Sequence, residues 1–240
     1  MVIFVTGVSR GFGKAIAELY LSKGEKVIGI GRSANINHPN FSFISCDLSD
    51  LDAVRNLTFD SIAIGSFSEP VTLINNAGIL GEINRLSDLK VIDVDQVMTI
   101  NVSAPVILTQ KIYEKLENKD LFTLVNISSG AANRAIPSWA SYCASKAALN
   151  MLTETFFLEE EEKGNHPKVF AVSPGVIDTG MQDQIRATNP SNFSAVENFK
   201  SLKDEGSLFS PEEAAKRLSQ LIKGKYTTEV FFDLRDISAE

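Results

Sequence analysis

Short runs rich in Val, Ile and Phe recur along the chain at residues 2–6, 26–30, 41–46, 71–75, 121–127, 169–173 and 230–233. Most are apolar without alternation, as parallel strands covered on both faces must be. The intervals between them are long enough for crossover helices. The pattern predicts an α/β fold in one domain over residues 1–240: a doubly wound parallel sheet of about seven strands with helices on both faces. Two long helices are expected over 101–116 and 139–162.

A chain of 240 residues with 44% hydrophobic and 22% charged residues can bury a sizeable core, which excludes disorder and collagen-like structure. A net charge of -7 speaks against general binding to nucleic acid or to anionic membranes. Cys46 and Cys143 stand far apart without a CxxC or a His pair, so neither a disulfide framework nor a metal site is expected. The start, Met1 to Val5, lacks a basic region and a cleavage site, and no apolar run approaches the ~20 residues of a membrane helix. The expectation is a cytoplasmic, soluble protein with no membrane partner.

The first apolar run ends in Thr6-Gly7-Val8-Ser9-Arg10-Gly11-Phe12-Gly13 and passes directly into an amphipathic stretch, Lys14 to Tyr20. Glycines let a backbone approach a pyrophosphate closely. A helix N-terminus behind them offers free N–H groups and partial positive charge. Strand, glycine turn and helix in this order are the opening of a Rossmann-type dinucleotide site, although the spacing is G-x3-G-x-G rather than G-x-G-x-x-G.

TGxxxGxG at this position resembles the short, single-domain branch of the short-chain dehydrogenase/reductase family. Further family features recur in order: Asp47-Leu48, Asn75-Asn76-Ala77-Gly78, Asn101, Ser129, Tyr142-x-x-x-Lys146, and Pro174-Gly175-Val176-Ile177-Asp178-Thr179. The resemblance covers nearly the whole chain. It implies cofactor contacts from Gly7, Ser9, Arg10, Gly11, Phe12, Gly13, Arg32, Asp47, Leu48, Asn75, Ala77, Gly78, Tyr142, Lys146, Pro174, Gly175, Ile177 and Thr179.

Tyr142 and Lys146, four apart on a helix, share a face and can meet. A phenol with a reference pKa near ~10 is a poor acid at neutral pH, and a neighbouring ammonium is expected to lower that pKa. The family's catalytic serine matches Ser129 by its spacing from Tyr142, rather than Ser128. The implied mechanism has Ser129 hold a carbonyl oxygen, Tyr142 donate a proton and a nicotinamide deliver hydride, while Asn101 holds a water beside Lys146.

The second strand ends in Gly31-Arg32-Ser33, without the carboxylate that usually binds the ribose 2′-hydroxyl of NAD. Arg32 and Arg10 resemble the two basic positions of NADP-preferring members, since an Arg fork suits a 2′-phosphate. The cofactor reading is therefore NADP(H).

The chain is expected to be an NADPH-dependent carbonyl reductase of a small ketone. Its N-terminus, the 174–181 stretch and its tail resemble the benzil reductase and sepiapterin reductase branch, whose substrates include vicinal dicarbonyls. The alternative is a catalytically idle NADP-binding redox sensor or scaffold. Sugar epimerases and dehydratases share Y-x-x-x-K but carry a different glycine spacing. The resemblance further implies a homodimer or homotetramer, although 228–235 lacks the usual glycine pair of the tetrameric members.

Residues 181–210 mix Asn, Ser, Pro and Gly with Phe193, Phe199 and Phe209. They read as a substrate lid, mobile without ligand, whose aromatics serve either as lid contacts or as helix packing. Glu159 to Glu162 read as a solvated last helical turn, His38 and His166 as solvated loop residues, and Cys143 as a packing residue turned away from Tyr142 and Lys146.

Overall fold

A computed structural model describes residues 1–59, 67–225 and 227–239. The strands β1 (Val2–Thr6), β2 (Lys26–Gly31), β3 (Phe41–Ser45), β4 (Val71–Asn75), β5 (Phe122–Ile127), β6 (Lys168–Ser173) and β7 (Phe231–Asp233) form one sheet in the order 3-2-1-4-5-6-7. Every neighbouring pair is parallel. The expected α/β architecture is therefore present, with each strand boundary within a residue of its expected place.

The helices are α1 (Gly11–Ser22), α2 (Leu51–Asn56), α3 (Val91–Met98), α4 (Ala104–Glu114), α5 (Ala140–Glu162), α6 (Gly180–Arg186), α7 (Val196–Asp204) and α8 (Pro211–Lys223). Continuous apolar strands resolve into two cores because successive side chains point to opposite faces. Val2 and Phe4 of β1 join Leu108 and Ile112 of α4 on one face. Ile3 and Val5 join Ile16 of α1 and Leu218 of α8 on the other. The order reverses between β1 and β4, and in open parallel sheets a crevice forms at such a switch point, beyond the C-terminal strand ends.

Three expectations need correction. The helix foreseen over 101–116 is the second half of a longer one, Val91–Glu114, and by length and composition this one could cross a membrane. The sequence reading stopped at each polar residue, but Asn101 and Ser103 are uncharged and the helix carries on through them as a π-turn, Thr99–Ser103. In the fold its inward residues Ala104, Leu108 and Ile112 pack on the sheet.

The Glu run is not all solvated. Glu160 is 2% exposed and accepts hydrogen bonds from Tyr113 Oη, from Lys163 Nζ at 2.7 Å and from Asn165 Nδ2 at 2.7 Å. Burial alone would raise its pKa, but these donors outweigh it and hold the carboxyl below the usual range. The sequence could not show this, because Tyr113 belongs to another helix.

Residues 181–210 were expected to lack packing partners until ligand bound. Instead they fold as α6, a turn and α7, with Ile185, Phe193 and Val196 buried in a third cluster beside Trp139 and Tyr142. Asp178 pairs with Lys203 and Arg186, and Gln184 Nε2 donates to Gly81 O at 2.8 Å, tying the segment to two neighbouring loops. Phe209 lies elsewhere: it packs beneath Gly175 and against the Arg217 guanidinium.

Candidate active site

The cradle after β1 depends on its glycines at two levels. Gly7 and Gly11 have φ of +74° and +57°, which L side chains rarely adopt. At Gly13 an added Cβ would lie 2.3 Å from Gly7 O, so only glycine lets α1 pack so closely on the turn. Thr6 Oγ1 accepts from the N–H of Asn76 and of Ala77, and Asn76 Nδ2 donates to Thr6 O. These bonds tie the loop after β4 to the cradle. Sequence reasoning missed this role of Asn76.

The first turn of α1 has no side-chain cap and no acidic residue, whereas α2 and α8 are capped by Asp50 and Ser210. Its N–H groups and dipole are left for an anion, which fits a nucleotide diphosphate. Ser9 and Arg10 are exposed beside it, Phe12 is buried beneath, and Thr179 stands over Gly11. Arg32 is exposed at the end of β2, and neither it nor Arg10 has an ion-pair partner among the described residues. Asp47, just past β3, is exposed, and its carboxyl is held below the usual range first by the Ser49 backbone N–H and hydroxyl, with the Arg32 charge adding to this. Leu48 is buried next to it.

Two expected cofactor residues turn inward. The Asn75 side chain donates to Asn126 Oδ1 at 2.8 Å and to Thr109 Oγ1 at 3.3 Å, so its amide is engaged between β4, β5 and α4. Ile177 is buried in the cluster beneath β6. Pro174 and Gly175 follow β6 at the crevice, half-buried, with Gly175 at φ +74°.

Beyond the strand ends, Asn101, Ser129, Tyr142 and Lys146 converge. Ser129 leaves β5 in extended conformation, its Oγ accepts from the Ala131 N–H at 3.1 Å, and its hydroxyl stands near enough to the Tyr142 phenol to act on that group's pKa. Ser128 is different: its hydroxyl donates to Asn150 at 2.5 Å inside the protein. Lys146 is 4% exposed, donates to Ile127 O at 2.8 Å and lies 5.7 Å from the Tyr142 ring centre.

The electrostatics differ from the expectation in one respect. Burial raises the Tyr142 pKa to about 12, partly offset by Ser129, and burial lowers that of Lys146 to about 8. Burial is the largest influence on the phenol, and the ammonium, 5.7 Å from its ring centre, donates to a carbonyl oxygen. Tyr142 accordingly keeps its proton at neutral pH and can donate it.

Asn101 sits in the π-turn, a feature often found where a helix must aim a functional group. Its carboxamide clasps the backbone of Ile79, accepting from N at 2.9 Å and donating to O at 2.8 Å, and it also donates to Ser145 Oγ at 3.0 Å. Gly78 lies between the Asn101 carbonyl and Lys146 Nζ, and a Cβ there would stand 3.2 and 3.4 Å from them. Ser145 was not foreseen. Neither was Trp139, whose ring meets that of Tyr142 edge to face at 5.7 Å.

A proton donor and an oxygen holder next to a cradle for a diphosphate define a nicotinamide-dependent oxidoreductase of carbonyl or alcohol groups. The family model described as short chain dehydrogenase matches residues 1–190, and the chain belongs to that family, whose members use NAD(P)H. It is 33% identical over 237 residues to benzil reductase ((S)-benzoin forming) of Bacillus subtilis, covering 97% of both chains. Among solved structures, a short chain dehydrogenase/reductase of Saccharomyces cerevisiae superposes with a TM-score of 0.83 at 29% identity, over 98% of this chain and 96% of that one. A 4-hydroxyisoleucine dehydrogenase complexed with NADH superposes with 0.78 at 27% identity, over 97% and 96%.

Proposed function

We propose that this oxidoreductase is a cytoplasmic, NADPH-dependent carbonyl reductase of vicinal dicarbonyls such as benzil, working as a homodimer. The observation that carries the reading is the convergence of Ser129, at the end of β5, with the Tyr142 phenol and the buried Lys146, whose Nζ lies 5.7 Å from the Tyr142 ring centre. When bound, the nicotinamide supplies hydride. Ser129 Oγ holds the substrate oxygen, and Tyr142 gives that oxygen its proton as charge develops. Lys146 supplies positive charge behind the phenol, and Asn101 keeps the Gly78–Ile79 backbone in place beside it. The substrate class rests on the likeness to benzil reductase.

The coenzyme choice rests on Arg10, at the α1 N-terminus, and Arg32, at the end of β2, both exposed and without ion pairs among the described residues. A charge-assisted bidentate contact to a 2′-phosphate contributes about 1.5–3 kcal/mol, so Arg32→Ala is expected to cut the NADPH/NADH ratio of kcat/KM with benzil about ten-fold. An unchanged ratio would remove Arg32 from the assignment, and a wild type faster with NADH would remove NADPH.

The dimer rests on apolar residues exposed on neighbouring helices: Val106 of α4, and Met151, Leu152 and Leu158 of α5, each 40% exposed or more. Pairing α4 and α5 with those of a second copy would cover them. Sedimentation at micromolar concentration should show a dimer, and a monomer there would refute it.

A further inference from the structure

Trp139 is 6% exposed, and its indole Nε1–H has no hydrogen-bond partner among the described residues. A buried tryptophan N–H nearly always finds an acceptor, because leaving it unmade forfeits the hydration it had in water. Phe193 stacks on the indole at 5.3 Å and 13°, Phe199 lies against it at 5.4 Å, and the same apolar cluster holds Leu80, Ile83, Tyr142, Ile185 and Met181. An indole N–H lies in the ring plane, so a ring stacked on its face cannot accept from it.

The same indole meets the Tyr142 ring edge to face at 5.7 Å, which places it one ring away from the proton donor. Its position is held with some strain. Ser138, just before it, has φ +71°, the only positive value outside glycine among the described residues. The Ser138 hydroxyl donates to Asn192 O at 2.6 Å, joining the start of the catalytic helix to the segment that carries Phe193. Strain of this kind persists where the surroundings over-determine it, and it clusters at ligand sites.

We infer that Trp139 determines specificity, its indole N–H being the donor for the second oxygen of the substrate while Ser129 and Tyr142 hold the first. The inference rests on the vicinal-dicarbonyl reading above and adds the residue that enforces it. A ketone without the neighbouring oxygen leaves the N–H unpaired, and a site built around such a bond discriminates against the analogue that lacks it. Phe193, wholly buried, backs the indole and fixes its plane, and the half-buried Phe199 borders it.

The test compares benzil with deoxybenzoin, which has the same carbon skeleton and one carbonyl. Trp139→Phe keeps an aromatic ring on Phe193 and removes the N–H. It should lower the benzil/deoxybenzoin ratio of kcat/KM about ten-fold, whatever common fall the changed packing against Tyr142 brings to both. An equal fall for both ketones, or a preserved ratio, would show a packing role only and overturn the inference. Trp139 is the sole tryptophan, so 15N-tryptophan labelling gives one indole signal without any variant. In the wild-type complex with oxidised NADP, benzil should move that proton downfield and deoxybenzoin should not; the same response to both would also overturn the inference. A wild type that reduces neither ketone would bring down the dicarbonyl reading, and this inference with it. That result is told apart by the wild-type rates alone.

Discussion

At each end of α5 a tyrosine stands beside an ionisable group, Tyr142 from α5 itself and Tyr113 from α4, and the two ends are built to opposite purposes. At the C-terminal end, Glu160 receives the Tyr113 phenol, Lys163 and Asn165, so its carboxylate is fully partnered. At the N-terminal end, the Tyr142 phenol stands beside Ser129, Lys146 reaches one backbone carbonyl, and Trp139 Nε1 has no hydrogen-bond partner among the described residues. Burial pushes both phenols up. What separates the ends is how much hydrogen-bonding capacity is left over. A saturated network stabilises the helix pair, whereas an unsaturated one costs stability and reserves its donors for a ligand.

Tyr142→Phe should give the largest effect, a loss of about 100-fold or more in kcat with Tm nearly unchanged, because only the donated proton disappears. Turnover assays and thermal unfolding on the same sample would check it, and an undiminished kcat would mean that the proton comes from elsewhere.

Glu160→Gln should do the reverse. Losing the charge-assisted bonds of a buried carboxylate is expected to cost about 2–3 kcal/mol, a drop of roughly 5–10 °C in Tm for a chain of this size, with kcat at low temperature retained. Equal Tm values would show that the network contributes nothing, and a matching loss of kcat would break the separation of the two ends.

The smallest effect is the pH response. The Lys146 pKa is lowered to about 8 by burial, so reduction measured as kcat/KM should fall up to about ten-fold per unit as pH rises past 8 and the ammonium is lost. Stability should respond with the other sign. Between about 8 and the unfolded value near ~10.4, the unfolded chain binds the extra proton, so this group favours folding more as pH rises. Glu160 has a depressed pKa, so its contribution is present above the unfolded value near ~4.3 and is lost as pH falls through the folded one. A flat kcat/KM profile between pH 7 and 9.5 would show that the Lys146 charge is not required.

What the sequence determined by itself was whatever depends on near neighbours. Runs of β-branched residues gave the strands, the helical period put Tyr142 and Lys146 on one face, and the left-handed turns after β1 called for Gly7 and Gly11. The spacing from Tyr142 selected Ser129 over Ser128, and the structure engages Ser128 inside the protein. Tertiary structure alone decided which polar groups are buried and with whom. Glu160 meets a phenol 47 residues back in the chain, and the Ser138 hydroxyl meets a carbonyl 54 residues ahead of it. The Asn75 side-chain nitrogen donates to Asn126, 51 residues away, a partner that no local pattern announces. The protonation of Tyr142 belongs with these, because a pKa follows from the burial and orientation of charges in space. The Lys146 ammonium expected to lower it is turned instead to Ile127 O.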